Sequence, residues 1–476
     1  MPHNSWQEDN SNNELDPISS FFSEWSDPED EEEEFRSDFF QGLAGRRQKA
    51  ALVLMTIWGG IIALHYVWWG YYVILSLTGF VVIQSSRLVF GKPKPDPEPL
   101  TDAQLANAPT VSILVSAKNE EAVVGKLVKM LCNLDYPADK YELWVIDDHS
   151  TDKTPELLDK LAEEYKQLKV LHRSANATGG KCGALNQALA LSKGEIIAVF
   201  DADAKVSADL LRRVVPLFAT KQMGAVQVRK AIANSSVNFW TRGQDAEMAL
   251  DSYFQQQRIA VSGIGELRGN GQFVRRTALA RCGGWNEQTI TDDLDLTIRL
   301  HLDGWEIGFL QFPAVEEEGV ETAIALWHQR NRWAEGGYQR YLDYWRWLGS
   351  KRLSLKKKMD MFTFLLLQYL VPTAIVPDTL IWVARDRLPI VSPLTGVLFS
   401  MSLWGMFAGL RRIRKNEQLS FAQLLVLFAQ AVRGMIYMLH WTLVMSSTTA
   451  RMSVRPKRLK WVKTVHQGSG EESFEF

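Results

Sequence analysis

From Ala50 to Ser86 the chain carries no Asp, Glu, Lys or Arg. One membrane-crossing helix needs about 20 apolar residues, and this run is nearly twice that, so it predicts two helices crossing a bilayer as a hairpin. The turn is expected near Trp68-Trp69-Gly70, where aromatic side chains suit the membrane interface. Both outer ends are basic, with Arg46, Arg47 and Lys49 before and Arg87, Lys92 and Lys94 after, which predicts that both face the cytoplasm. A pair of buried core helices is the competing reading, and an uncharged run of this length disfavours it. Pro93, Pro95, Pro97 and Pro99 predict a stiff linker over residues 92–109.

Residues 1–45 are polar and hold the acidic run Asp27 to Glu34, which predicts a disordered tail. The tail has no basic segment followed by an apolar one, so no signal peptide is expected. With 53 Lys+Arg against 55 Asp+Glu the net charge is −2, which argues against a nucleic-acid partner, and 46% hydrophobic residues exclude a disordered chain. The three cysteines, Cys132, Cys182 and Cys282, stand apart and form neither a disulfide framework nor a metal pair, as suits a reducing compartment.

Residues 110–340 alternate short apolar runs of strand length (Val111 to Ser116, Glu142 to Ile146, Glu195 to Phe200) with charged stretches of helical period (Glu120 to Leu131, Pro155 to Leu168). This predicts an α/β domain with a parallel sheet and crossover helices, whose ligands collect beyond the carboxyl ends of the strands. Tyr341 to Lys358 mixes Trp, Tyr and Leu with a basic cluster and is expected to be an interfacial amphipathic helix. Residues 359–447 are expected to hold two to three transmembrane or re-entrant helices. Met359 to Ala384 and Pro389 to Leu410 are two candidate spans, and Phe421 to Ser446 either crosses or, as Arg433 near its centre favours, enters and returns. A basic tail at 448–476 closes the chain.

Two strands end in acids, Asp147-Asp148 and Asp201-Ala202-Asp203, so their carboxylates are expected at one rim of the sheet. Oxygen ligands one residue apart, facing a diphosphate, form a partial shell for Mg²⁺ or Mn²⁺. The loop Gly179 to Asn186 puts Lys181 and a flexible backbone before a helix, which suits phosphate or ribose contact and equally suits an ordinary turn. Gly263-Ile264-Gly265 and Gly269-Asn270-Gly271 are close-approach loops or plain turns. Thr291-Asp292-Asp293 predicts a capped helix start, and an Asp there beside a bound sugar can act as a general base. Gln329, Arg332 and Trp333 share one helix face, where an arginine can bind phosphate and an indole can stack on a sugar or acyl neck; a surface helix with an interface Trp is the plainer alternative.

In order, Ala117 to Glu120, Val145 to Asp148, Lys181 to Asn186, Asp201 to Asp203, Thr291 to Asp293 and Gln329 to Trp333 resemble the motif series of the family 2 inverting glycosyltransferases, in their membrane branch. The resemblance covers about residues 105–345. It implies a GT-A nucleotide-diphospho-sugar transferase domain, a Rossmann-like mixed sheet, inserted between N- and C-terminal transmembrane helices. By it Asp147 and Asp148 bind the nucleotide, Asp201 and Asp203 the diphosphate and metal, and Asp293 is the base. Asn119, Glu120, Lys181, Asn186, Gln329 and Arg332 are implied at the donor, and Trp333, Gly269 and Asn270 at the acceptor. The family's usual Thr-Glu-Asp is Thr291-Asp292-Asp293 here, so Asp292 has no assigned role.

The whole chain, with Met1-Pro-His-Asn-Ser-Trp6, Glu14-Leu-Asp-Pro17, the paired N-terminal spans and Arg332 to Gly337, is similar to cyanobacterial glucosyltransferases acting on diacylglycerol. That implies transfer from UDP-glucose to 1,2-diacylglycerol with inversion, Mg²⁺ dependence, and a multi-pass protein of the plasma or thylakoid membrane with its catalytic domain in the cytoplasm. The rivals are a processive polysaccharide synthase of the cellulose synthase type and an inactive scaffold that binds a sugar nucleotide.

Overall fold

The computed structural model describes residues 45–386, 388–414 and 419–454. The acidic tail and most of the basic tail therefore lie outside the described residues. Two apolar helices come first, α1 (Arg46–Tyr66) and α2 (Gly70–Val89). Strands and helices then alternate: β1 (Val111–Ala117), α3 (Val124–Cys132), β2 (Tyr141–Asp147), α4 (Thr154–Glu164), β3 (Leu168–His172), α5 (Gly180–Leu191) and β4 (Ile196–Asp201). These four strands pair in parallel. In β1, Ile113 and Val115 pack into one layer and Leu114 into the other, and all three are fully buried, because helices cover both faces of the sheet.

The second half supplies β5 (Met223–Ile232), the long helix α6 (Phe239–Ala260), β6 (Gln272–Arg275), α7 (Asp292–Leu302) and β7 (Glu306–Glu317). The sheet has seven strands in the order β3-β2-β1-β4-β6-β5-β7, and β6 runs antiparallel to both neighbours. It is thus mixed, not parallel throughout. From β1 the order runs to β2 and β3 on one side and to β4 on the other, which makes its edge a topological switch point. There the strand ends lie level, with Ala117 beside Asp147 and Ser116 beside Asp201.

Five further helices follow: α8 (Ala323–Leu348), α9 (Leu355–Arg385), α10 (Ser392–Ile413), α11 (Phe421–Met438) and α12 (His440–Val454). Among the described residues five helical stretches are long and apolar enough to cross a membrane: α1, α2, α9, α10 and the run from Phe421 to Val454. The chain is membrane-associated. Helix α6 ties these apolar helices to the sheet domain. Its Gln257 amide donates to the Leu88 carbonyl at the end of α2 at 2.6 Å, its Tyr253 hydroxyl accepts from Trp404 of α10 at 3.1 Å, and its Arg258 pairs with Asp360 of α9 at 2.9 Å.

The segment 341–358 is not the separate interfacial helix expected from its composition. Its first part is the buried end of α8, with Tyr341, Leu342, Asp343 and Tyr344 in the interior. The reason is a set of long-range partners. Arg46 of α1 grips Asp343 with two hydrogen bonds of 2.6 and 2.7 Å, and Tyr344 donates to Asp295 of α7 at 2.8 Å. The chain then turns, and Ser354 caps the start of α9.

Candidate active site

Around Lys181 the structure gathers Asp201 from the sheet rim and Asp292 and Asp293 from the start of α7. Asp201 ends β4, and its carboxylate lies 2.6 Å from the ammonium of Lys181 on α5. Burial works against the Lys181 charge, but Asp201, Asp292 and Asp293 outweigh it and hold the ammonium above its ordinary range. Lys181 therefore joins the rim of β4 to the first turn of α7. Asp203 accepts a hydrogen bond from the Glu318 amide at 3.1 Å, which orients the second acid of the pair. Among the described residues no group of three or more His, Cys, Asp or Glu side chains forms a complete metal cage. The two hard carboxylates of Asp201 and Asp203 fit a divalent cation as a partial shell, open to diphosphate oxygens and water. A buried Asp292 carboxylate oxygen has no hydrogen-bond partner, in keeping with a rim that has acceptors to spare.

At the end of β2 the paired acids separate in environment. Asp147 is buried and accepts from the Ser150 amide at 3.1 Å, with His172 at 3.1 Å on its other oxygen, so it shapes the loop. Asp148 is more open and pairs with Arg173, a buried side chain that also donates to the carbonyls of Thr178 and Gly180. Asn119 takes a left-handed backbone, φ 53°, and accepts from the Thr151 amide at 2.7 Å; the Glu120 amide donates to Thr154 at 2.8 Å. The Asn186 amide group is engaged with Trp285 and Glu287 at 2.9 Å each, which ties α5 to the loop before α7. It is held by protein partners instead of being presented to a ligand.

Helix α7 opens on the acids, but the expected side-chain cap by Thr291 does not form, and its hydroxyl has no partner. The Leu294 amide donates instead to Asp293 at 2.8 Å. Burial, with Asp292 adding to it, pushes Asp293 up to about 6, against the opposing pull of the Leu294 amide, Arg268 and Lys181. A carboxyl titrating there is poised to take a proton near neutral pH. Gly269 faces it: its φ is +78°, and a Cβ on it would lie 3.6 Å from Asp293 Oδ2. Beside it the fully buried Asn270 accepts from the Asp201 amide at 3.2 Å and leaves its own side-chain N–H group without a partner.

Gln329, Arg332 and Trp333 lie half-buried on α8, as one face predicts. Burial lowers the Arg332 guanidinium and Asp201 raises it again, so the two are in electrostatic reach. Gln329 accepts from Arg330 at 2.6 Å. Arg330 in turn sits 4.0 Å over the Trp333 ring and pairs with Glu247 of α6 at 2.6 Å, fixing the indole from behind. Gly336 sets the approach of α8 to α7, because a Cβ on it would come within 2.4 Å of the Thr291 side chain.

Two cations of this site are absent from the motif series. Lys230, at the end of β5, pairs with Glu317 at 2.7 Å, lies 5.4 Å over Trp333 and feels Asp201 and Asp293. Arg268 pairs with Asp251 at 2.8 Å and Glu266 at 2.7 Å, and feels Asp293. A charged residue ending an apolar run and a basic residue before a Gly-Asn-Gly turn were the available signals.

The chain matches the family profile described as "Glycosyltransferase like family 2" over residues 108–336. It is 58% identical to the beta-monoglucosyldiacylglycerol synthase of Synechocystis sp., over 100% of this chain and 99% of that one. To the protein of the same name from Trichormus variabilis it is 60% identical, over 99% and 100%. Among solved structures it is similar to a mannosyltransferase from Pyrobaculum calidifontis in complex with GDP-Man and Mn²⁺, with TM-score 0.52, 22% identity, and coverage of 82% of this chain and 98% of that one. This last likeness is one of fold, and with the sheet order it makes the domain GT-A-like.

Proposed function

The chain belongs to the beta-monoglucosyldiacylglycerol synthase family, and from that premise we propose how its site works: it transfers glucose from UDP-glucose to the free hydroxyl of 1,2-diacylglycerol in one inverting displacement. The observation that carries the mechanism is Asp293, raised to about 6 and facing the Lys181 and Asp201 rim. Asp293 accepts the proton of the acceptor hydroxyl as that oxygen forms its bond to the anomeric carbon. The bond from that carbon to the diphosphate breaks on the opposite face, and UDP leaves with the electron pair. Lys181, Lys230 and Arg332 sit where that negative charge develops.

Asp201 and Asp203 would hold a divalent cation, Mg²⁺ by preference and Mn²⁺ as the alternative. A cation held by these two residues would supply positive charge to offset that of the diphosphate. Asp148, set by Arg173, with Asn119 and Glu120 would hold the nucleotide, and Gln329 would border the diphosphate. Trp333, Gly269 and Asn270 would receive the acceptor. Diacylglycerol barely enters water, so a site joined through α6 to the spans suits its delivery. The basic flanks of α1 and α2 support a cytoplasmic catalytic domain, at the plasma or thylakoid membrane.

A polymer synthase and an inactive scaffold are the weaker readings, since relatives matched end to end carry the name of a lipid glucosyltransferase and the acid and cation set is intact. Purified protein with labelled UDP-glucose, Mg²⁺ and diacylglycerol tests the proposal. One lipid-soluble product that vanishes without diacylglycerol supports it, and an insoluble polymer formed without diacylglycerol refutes it.

A further inference from the structure

Away from the acid rim, an open cavity of about 310 Å³ lies between α6, α10 and α11, lined among others by Ser236, Arg242, Asp245, Arg414, Gln430 and Arg433. Arg433 is the only charged residue of α11, whose remaining sequence from Phe421 to Met438 is uncharged. A charge inside such a helix needs a counter-charge. Among the described residues the one carboxylate lining the cavity is Asp245, and Arg229, Arg414 and Arg433 all act on it together. Arg229 is already turned to the Gln311 carbonyl at 3.0 Å and Arg242 to the Ser236 carbonyl at 3.0 Å. The Arg433 Nε atom is buried without a hydrogen-bond partner. Among the described residues three guanidiniums thus line the cavity with one acid, and the imbalance calls for an anion.

The position of the cavity says which kind. Arg414 stands at the end of α10, a candidate span, and Arg242 belongs to the start of α6 on the soluble domain, so the cavity opens at headgroup level. Along α11, Phe421, Leu425, Phe428, Val432 and Ile436 are exposed at spacings of three and four, an apolar stripe beside Arg433 on which acyl chains can lie. Basic cavities between membrane helices on the cytoplasmic side bind acidic headgroups.

We propose that this cavity binds the phosphate-bearing headgroup of an acidic bilayer lipid, with Arg414 and Arg433 as the phosphate contacts and the α11 stripe under its acyl chains. The site is separate from the transfer chemistry, so its test does not depend on the activity proposed above. Full-length protein in neutral detergent is titrated with dioctanoyl phosphatidylglycerol, dioctanoyl phosphatidylcholine and inorganic phosphate, following bound lipid by native mass spectrometry. The expected result is one phosphatidylglycerol per chain, neither phosphatidylcholine nor free phosphate displacing it at equal concentration, and binding about tenfold weaker in Arg433→Gln and in Arg414→Gln, which lies at the end of α10 outside the α11 interior. The second variant keeps the test valid where the first fails to fold. Equal retention by wild type and Arg414→Gln overturns the site, and occupation by inorganic phosphate that excludes the lipid overturns the lipid assignment.

Discussion

The ammonium of Lys181 lies 2.6 Å from Asp201 at the end of β4 and is also held by the two acids that open α7. One side chain therefore links the proposed diphosphate rim to the proposed base. Because Lys181 pulls Asp293 down, replacing it by Met lets Asp293 rise further. The acid limb of kcat/KM against pH is expected to move to higher pH in Lys181→Met, with overall activity reduced. An unmoved limb contradicts the coupling.

In the wild type, Asp293 must be ionised to accept a proton. Activity is therefore expected to fall as pH drops through about 6 and to level off above it. The stability effect has the opposite sign. A carboxyl whose pKa is raised by folding favours the native state only while protonated, and that contribution is lost as pH rises through its folded value. Asp293→Asn is thus expected to lower kcat by about 10²–10⁴-fold and to raise Tm at pH 8, a gain that vanishes below pH 4. UDP affinity should stay near wild type. Substantial remaining turnover removes Asp293 from its role.

The placement of the strand-end acids is legible in the sequence. Asp147-Asp148 and Asp201 to Asp203 each follow an apolar run of strand length, so their meeting at one rim follows from parallel pairing alone. The limits were long-range. Tyr341 to Tyr344 has the composition of an interfacial helix, and only Arg46 and Asp295, distant in sequence, place it in the interior. β6 is four residues long and antiparallel, too short to announce itself by alternation. Lys230 and Arg268 reach the site because β5 sits next to β6 in the sheet, an order that local pattern does not carry. Asn186 stands at the right place in the motif, yet its amide serves Trp285 and Glu287.

Gly336→Ala tests how α8 is seated on α7. A Cβ there meets Thr291 at 2.4 Å, well inside contact distance. Overpacking of this kind costs about 1–3 kcal/mol, and it shifts Arg332 relative to Asp201 and Trp333 relative to Lys230. A lower Tm and lost transfer are expected together, and a variant with wild-type Tm and rate contradicts the close approach.

Trp333→Ala separates acceptor from donor. The indole is held between Arg330 and Lys230 and faces the acceptor side in the proposed mechanism. KM for diacylglycerol is expected to rise about tenfold, in line with the loss of one stacked aromatic contact, while slow hydrolysis of UDP-glucose persists. Equal loss of both activities places Trp333 at the donor instead.

Chelation with EDTA is expected to abolish transfer, with recovery on adding Mg²⁺ or Mn²⁺. Asp201→Asn and Asp203→Asn should each demand far more metal for the same rate. Full activity after chelation refutes the carboxylate pair as a metal shell.

The stereochemistry of the product tests the single displacement most directly. Proton NMR of the glycolipid formed from UDP-glucose and 1,2-diacylglycerol is expected to show the β-anomer alone, because attack opposite the α-linked diphosphate inverts the carbon. An α-linked glucolipid would mean retention, and with it Asp293 would lose its place as the base of a one-step transfer.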